Sequence, residues 1–327
     1  MSKLVTIYGG SGFVGRYIAR RMAKEGWRVR VAVRRPNEAI FVKTYGVVGQ
    51  VEPVLCNIRD DASVASVMQG ADAVVNCVGV LAENGKNTFD AVQSEGPERI
   101  ARIAQDRGID RMVHVSAIGA DTQSESDYAR TKGEGEAAVL KYQPNAMILR
   151  PSIVFGPEDE FFNRFAGMAG MSPVLPVVGA NTKFQPVYVD DVAEAAVKGV
   201  LGEAQGVFEL GGPVAMSFRE LMGLMLEVIR RRRLVLNIPY FAAKIMAFSF
   251  DMLEAATLGL VKNPTVTRDQ LKNLRNDNVV SEDAQGLDAL GVVPTAMASV
   301  LPEYLWRFRP AGQYSEIKES AKNLRSN

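Results

Sequence analysis

Three side chains in the first half of the chain have the types and spacing for proton transfer beside a carbonyl. Ser116 closes a short apolar run, Met112-Val113-His114-Val115; Tyr128 follows twelve residues later, and Lys132 four beyond that. On a helix, positions i and i+4 share a face. An ammonium beside a phenol favours the phenolate and lowers its pKa, so the tyrosine can exchange protons near neutral pH. Ser116 can orient a carbonyl oxygen next to it, which makes a workable hydride-transfer site. The spacing alone is weak, because Tyr240…Lys244 and Tyr314…Lys318 repeat it. Only Tyr128 follows a strand of the alternating first half. A second reading stays open: Lys132 binds a ribose and Tyr128 packs on a cofactor, without turnover. The sole histidine, His114, lies inside the apolar run and reads as buried structure. One histidine and two distant cysteines make no metal site.

A trio of this kind needs a platform, and the chain opens with one. Leu4 to Tyr8 is an apolar run that leads into Gly9-Gly10-Ser11-Gly12-Phe13-Val14-Gly15, and a helix-compatible stretch follows from Tyr17 to Lys24. Gly9 permits the turn out of the strand, Gly12 lets backbone approach a pyrophosphate, and Gly15 lets the helix pack closely. The pyrophosphate then rests on the free N–H groups of the helix N-terminus. A strand before and a helix after the glycines make the pattern specific. Ser11 and Phe13 sit in the same loop and count among the cofactor contacts.

Further apolar runs at Val29–Val33, Val51–Leu55, Ala73–Asn76, Met112–Ser116 and Ala146–Leu149 read as strands. Helical segments separate most of them, among them Pro97–Asp106 and Tyr128–Lys141. This alternation predicts an α/β fold with a doubly wound parallel sheet of Rossmann type. The second strand runs into Arg34-Arg35, with no acid before Glu38. An acid there selects the ribose hydroxyl of NAD, and arginine accommodates the extra phosphate of NADP, so NADPH is the expected cofactor. The alternative is two solvated surface charges. Asn57 and Ile58, after the third strand, are placed at the adenine. Cys77, Val78 and Gly79, after the fourth, are placed along the ribose. Pro151 and Ile153, after the sixth, complete the expected contacts.

The 327 residues are 47% apolar, enough for a large core in one or two domains. A net charge of +1 gives no sign of nucleic-acid binding. Two cysteines, Cys56 and Cys77, fit a reducing compartment better than a disulfide framework. No secretory signal precedes the first strand, and Met1 is read as the intact start of a bacterial-type protein. No apolar stretch is long enough for a membrane span.

The expected division is a dinucleotide-binding core over 1–155, with a return strand near 184–201, and a smaller C-terminal part over 156–327. In the latter, Phe184–Val189 and Val207–Leu210 read as strands and Val192–Leu201 as a helix. Ser217 with Glu220 reads as a capping box, and the chain beyond 230 reads as mostly helical. Arg230-Arg231-Arg232-Arg233 precedes an apolar stripe of Phe241, Ile245, Phe248, Met252 and Ala255. Such a helix over 240–260 lies on an anionic membrane surface, in a groove of a larger complex, or on its own domain. The tail from about Ala311 is polar, a composition that orders on a partner.

Taken together, these residues resemble the extended and atypical short-chain dehydrogenase/reductase families. The matching segments are 9–15, Asn76-Cys77-Val78-Gly79, Tyr128 with Lys132, Arg150-Pro151-Ser152-Ile153-Val154-Phe155-Gly156-Pro157, and Val187-Tyr188-Val189-Asp190-Asp191-Val192-Ala193. They run in order over residues 1 to about 215. Within those families the chain is most similar to the nucleotide-binding accessory subunits of respiratory complex I, the NADH:quinone oxidoreductase. Segment 184–193, Arg34 and the long C-terminal region carry that likeness. It implies a peripheral NADPH with a stabilising role, remote from the electron path. It also implies partners among the subunits of the membrane-bound oxidoreductase, on the cytoplasmic face of the respiratory membrane. By position, Gly9, Gly12, Gly15 and Arg34 would hold the NADPH phosphates, and Ser116, Tyr128 and Lys132 would face the nicotinamide. Asn57 stands where an acid is usual. Gln93 replaces an asparagine usual in active members, which speaks against catalysis, while the intact trio leaves it open. The alternatives are a free NADP-dependent reductase or epimerase and an NADPH-sensing regulator.

Overall fold

A computed structural model describes residues 2–245 and 268–314. Within it the chain forms two compact units, each built from separate stretches of sequence.

The first unit comprises 1–152, 189–211 and 280–294. Its strands are β1 (Leu4–Tyr8), β2 (Arg28–Val33), β3 (Val51–Leu55), β4 (Ala73–Asn76), β5 (Met112–Val115) and β6 (Met147–Pro151), with a seventh, β11, at Gly206–Leu210. They form one parallel sheet in the order β11-β6-β5-β4-β1-β2-β3. β1 pairs with both β2 and β4, so the strand order reverses there. In an open sheet of this kind the crevice at the reversal point is where a ligand binds. The helices are α1 (Phe13–Lys24), α2 (Asp61–Met68), α3 (Glu95–Asp106), α4 (Asp127–Tyr142) and α6 (Val189–Leu201). On one face α2, α3 and α4 bury Val64, Ile100, Ala104 and Val139 against Tyr8, Val74 and Ile148. On the other, α1 and α6 pack together, and Arg21 donates two 2.9 Å hydrogen bonds to Asp190. β11 is an edge strand. Residues 281–285 cover it: Glu209 N–H donates to Gln285 O, and Ser281 N–H donates to Glu209 Oε2.

The second unit comprises 153–188, 212–279 and 295–327. It contains β7 (Val154–Phe155), α5 (Phe161–Met171), β8 (Val174–Val178), β9 (Lys183–Phe184), β10 (Val187–Tyr188), β12 (Met216–Ser217), α7 (Phe218–Val228) and β13 (Leu234–Ile238). Its core is rich in phenylalanine: Phe155, Phe162, Phe184 and Phe218 pack with Leu221, Met225 and Leu301. Ser217 and Glu220 form the expected capping box at the start of α7.

Three expectations are corrected. The strand read over Phe184–Val189 is two short strands, because Pro186 has no N–H for a ladder. The element that returns to the sheet is therefore α6 followed by β11. The chain beyond 230 is not mostly helical among the described residues. Leu234–Ile238 pairs in parallel with β8, and an Asn/Asp/Ser/Gly-rich run from Asn273 to Gly286 favours turns. Of the stripe expected over 240–260, residues 240–245 are helical, whereas Phe248, Met252 and Ala255 lie outside the described residues, as does the tail beyond 314. No helix among the described residues is long and apolar enough to cross a membrane.

Candidate nucleotide site

A pocket of about 250 Å³ opens at the C-terminal ends of β1 to β4. Gly9 turns the chain out of β1 with φ +75°, a conformation that favours glycine. Its N–H donates to Ala32 O at 2.9 Å, which ties the loop to β2, and its own carbonyl accepts from Gly12 N–H at 2.9 Å. Gly15 does not line the pocket. It lies beneath the loop, where an added Cβ would stand 2.4 Å from Gly9 O. Gly12 is the N-cap of α1 and supplies no side-chain cap, and the first turn carries no acid. The leading N–H groups of α1 are therefore left for an anion at the end where the dipole is positive. Arg16 braces the loop: Nη2 donates to Ser11 O at 3.0 Å, Nε donates to Gly12 O at 3.3 Å, and the guanidinium lies 4.9 Å over the Phe41 ring.

Gly9, Ser11, Gly12, Arg34, Asn57 and Ile58 line this pocket, and so do Cys77, Val78 and Gly79. Arg34 is exposed on its rim, whereas Arg35 turns to an exposed ion pair with Glu38 at 3.0 Å. The Asn57 carbonyl oxygen is held by Arg59 N–H, so its side-chain amide nitrogen is the group available for an adenine edge. Asn76 Oδ1 accepts from Val78 N–H at 3.1 Å and shapes the turn after β4. Burial pushes the Cys77 thiol up to about 12 and the Cys56 thiol up to about 11, so both are protonated near neutral pH.

Phe13, Pro151 and Ile153 are not on the pocket wall. Phe13 begins α1 and packs edge-on against Tyr17. The Pro151 carbonyl accepts from Ile118 N–H at 3.1 Å, and Ile153 packs against the core of the second unit.

Ser116, Tyr128 and Lys132 also lie off the wall. Lys132 is buried, and its Nζ donates to Val115 O at 3.2 Å. A Cβ on Gly79 would stand 3.4 Å from that Nζ, so the lysine backs the pocket wall at Gly79. Burial lowers its pKa to about 8, against the attraction of Glu136. Tyr128 rests edge-on against Phe89 at 5.9 Å. Burial pushes its phenol up to about 12. Desolvation thus works against the lysine-activated phenolate expected from the spacing, and the lysine Nζ is bonded to a backbone carbonyl. Ser116 Oγ, His114 Nε2 and Gln93 Oε1 are buried without a hydrogen-bond partner. Gln93 lies in a π-helical turn, Asp90–Ser94, and its Nε2 donates to Val80 O at 2.9 Å. His114 is buried in β5, with Nδ1 3.1 Å from Asn76 Nδ2. Burial lowers its pKa to about 3, with the nearby Lys132 acting in the same direction.

Sequence reasoning missed other parts of the wall, including Tyr8, Ala32, Val80, Asn87 and Val92. The strand ends carry a signal, since wall residues fall on the last position of β1 and β2 and just after the last position of all four strands. Asn87 and Val92 carry none, because they belong to a connection after β4.

The site fits a dinucleotide. The uncapped helix start suits a pyrophosphate, and the exposed arginine on the rim suits a further phosphate. The profile of the NAD dependent epimerase/dehydratase family matches residues 5–211. The chain is 33% identical over 316 residues to the NADH dehydrogenase (ubiquinone) 1 alpha subcomplex subunit 9, mitochondrial, of Arabidopsis thaliana, covering 94% of this chain and 79% of that one. It is 31% identical over 207 residues to the ceramide reductase of Caulobacter vibrioides, covering 63% of this chain and 64% of that one. The UDP-glucose 4-epimerase of Thermus thermophilus, solved with NAD, superposes with a TM-score of 0.67 at 17% identity, over 94% of this chain and 99% of that one, a likeness of fold.

Proposed function

We propose that this chain, which belongs to the NAD dependent epimerase/dehydratase family, is a non-catalytic accessory subunit of a respiratory NADH:quinone oxidoreductase and holds NADPH. The observation that carries this reading is the extent of likeness. Identity to the Arabidopsis thaliana subunit runs over 94% of the chain, past residue 211 where the family profile ends. The match to the ceramide reductase spans 63%. Likeness that includes the second unit favours a role needing that unit, and docking on other subunits is such a role. The role is structural. The nucleotide binds the folded state alone, and by mass action it holds that state together.

Arg34 carries the choice of nucleotide. A guanidinium and a phosphate make a charge-assisted, forked pair, and no acid lines the pocket to take a ribose hydroxyl instead. When bound, the nucleotide supplies a hydride-carrying ring. Lys132 and Ser116 would hold its ribose and amide end, and the protonated Tyr128 phenol would pack beside it. A second reading, an NADP-dependent reductase, rests on the survival of Ser116, Tyr128 and Lys132 together. It requires turnover of NADPH with a carbonyl compound that is lost in Tyr128→Phe.

The deciding experiment is mild-detergent fractionation of source membranes with mass spectrometry and nucleotide analysis. Co-migration with oxidoreductase subunits and about one NADP(H) per chain is expected. A free monomer or dimer overturns the subunit reading, and bound NAD(H) overturns the NADPH reading.

A further inference from the structure

The wall of the pocket runs from the end of β4 into the long connection that leads to α3. Cys77 to Val80 form one stretch of it, and Asn87 and Val92 rejoin it farther on. Between them, residues 81–86 are exposed. This excursion of the chain is closed on itself: Asn84 and Asn87 exchange backbone hydrogen bonds at 3.1 and 3.2 Å, and Glu83 Oε1 accepts from Phe89 N–H at 2.7 Å. At the surface, Arg59 Nη1 donates to Lys86 O at 2.9 Å and Arg130 Nη2 donates to Asp90 Oδ1 at 3.3 Å. The base of the excursion is closed by a buried side chain: Gln93 Nε2 donates to Val80 O at 2.9 Å.

Backbone and side chain of Gln93 are both held for that bond. The residue belongs to the π-helical turn Asp90–Ser94, where Glu95 N–H donates to Asp90 O. Turns of this type recur at functional sites. Gln93 O lies so close to α4 that a Cβ on Gly135 would not fit. The residue is 1% exposed. A backbone carbonyl only accepts, so the amide turns its N–H toward Val80 and leaves Oε1 without a partner. A buried acceptor left unpaired costs about as much as one hydrogen bond returns, so the amide adds little net stability to the fold. What it fixes is the distance between the two stretches of wall. An asparagine, one methylene shorter, would stop short of Val80 O.

We propose that Gln93 is a positioning residue for the nucleotide: its bond to Val80 O holds the wall stretches 77–80 and 87–92 at the spacing that NADPH requires. This role rests on the nucleotide reading and extends it to a residue off the wall. Gln93 does not line the pocket, so it acts through Val80 and its neighbour Val92, which do.

Titration calorimetry with NADPH, and hydrogen–deuterium exchange and thermal melts without it, test this role on the full-length protein. Gln93→Met keeps the length and loses the donor, and should raise the NADPH dissociation constant about fivefold. Without nucleotide, the amides of 80–92 should exchange about fivefold faster in this variant, while those of β1 and β2 keep their wild-type rates. Its melt should match or exceed that of wild type, because the unpaired acceptor is gone. Gln93→Asn keeps the amide and loses the reach, so it should weaken NADPH binding to a similar degree. Wild-type affinity in Gln93→Asn overturns the proposal. A melt that falls in Gln93→Met, with faster exchange throughout the sheet, assigns the residue to general stability and also overturns it. If wild type binds NADPH and both variants match it, this role alone falls. If wild type binds no NADPH, the nucleotide reading falls and this role with it.

Discussion

Arg34 and Arg35 are adjacent in sequence and differ in surroundings. Arg34 lines the pocket, and Arg35 pairs with Glu38. Arg34→Glu should lower NADPH affinity at least tenfold, about 1.4 kcal/mol, in titration calorimetry, whereas Arg35→Ala should change it less than threefold. Equal losses would place the phosphate between both residues. Tyr128 gives a second residue-level expectation. With its phenol held near 12, the group stays protonated at neutral pH. Tyr128→Phe should leave NADPH content and assembly unchanged, and a fall in either would give the hydroxyl a role that the proposed function lacks. His114 sets a pH dependence. Its imidazole titrates near 3 when buried and near 6.5 when unfolded, so between these values the unfolded chain binds the extra proton. Stability is then full above about pH 6.5 and is lost as pH falls toward 3. His114→Gln should flatten this acid limb in urea unfolding followed across pH.

The glycine loop shows what an element demands of single positions. Gly15 is required by packing, since its Cβ would strike Gly9 O at 2.4 Å and Gly10 Cα at 2.7 Å. Gly15→Ala should destabilise the protein by about 1–3 kcal/mol in denaturant unfolding, with nucleotide binding weakened through the displaced loop. The spacing of the glycines made this legible before any coordinates, because each strand-to-helix turn of this type needs the same three relaxations. The strand and helix bounds of the first half were legible for a similar reason: buried parallel strands read as continuous apolar runs. The split at Pro186 was legible in principle, since a proline inside a strand pattern signals a broken ladder. β13 was not. Its Leu-Val-Leu alternation gains meaning only once β8, about sixty residues away, lies beside it.

At the scale of the molecule, both units are assembled from distant stretches of chain. Occupation of the pocket should therefore act globally. Nucleotide at about a hundred times its dissociation constant adds roughly 2.7 kcal/mol of stability. Thermal melts should rise with NADPH in wild type and stay flat in Arg34→Glu. A flat wild-type response would mean that the pocket does not hold NADPH.

Periodicity and the glycine spacing by themselves determined the parallel sheet and its glycine turn, since these depend on residues within a few positions of one another. The desolvation of Tyr128, the pairing of Arg35 with Glu38 and the exposure of Leu234 and Leu236 were decided only by tertiary structure. Burial, ion pairing and exposure are set by neighbours that the chain brings together from far apart, and no local pattern records them.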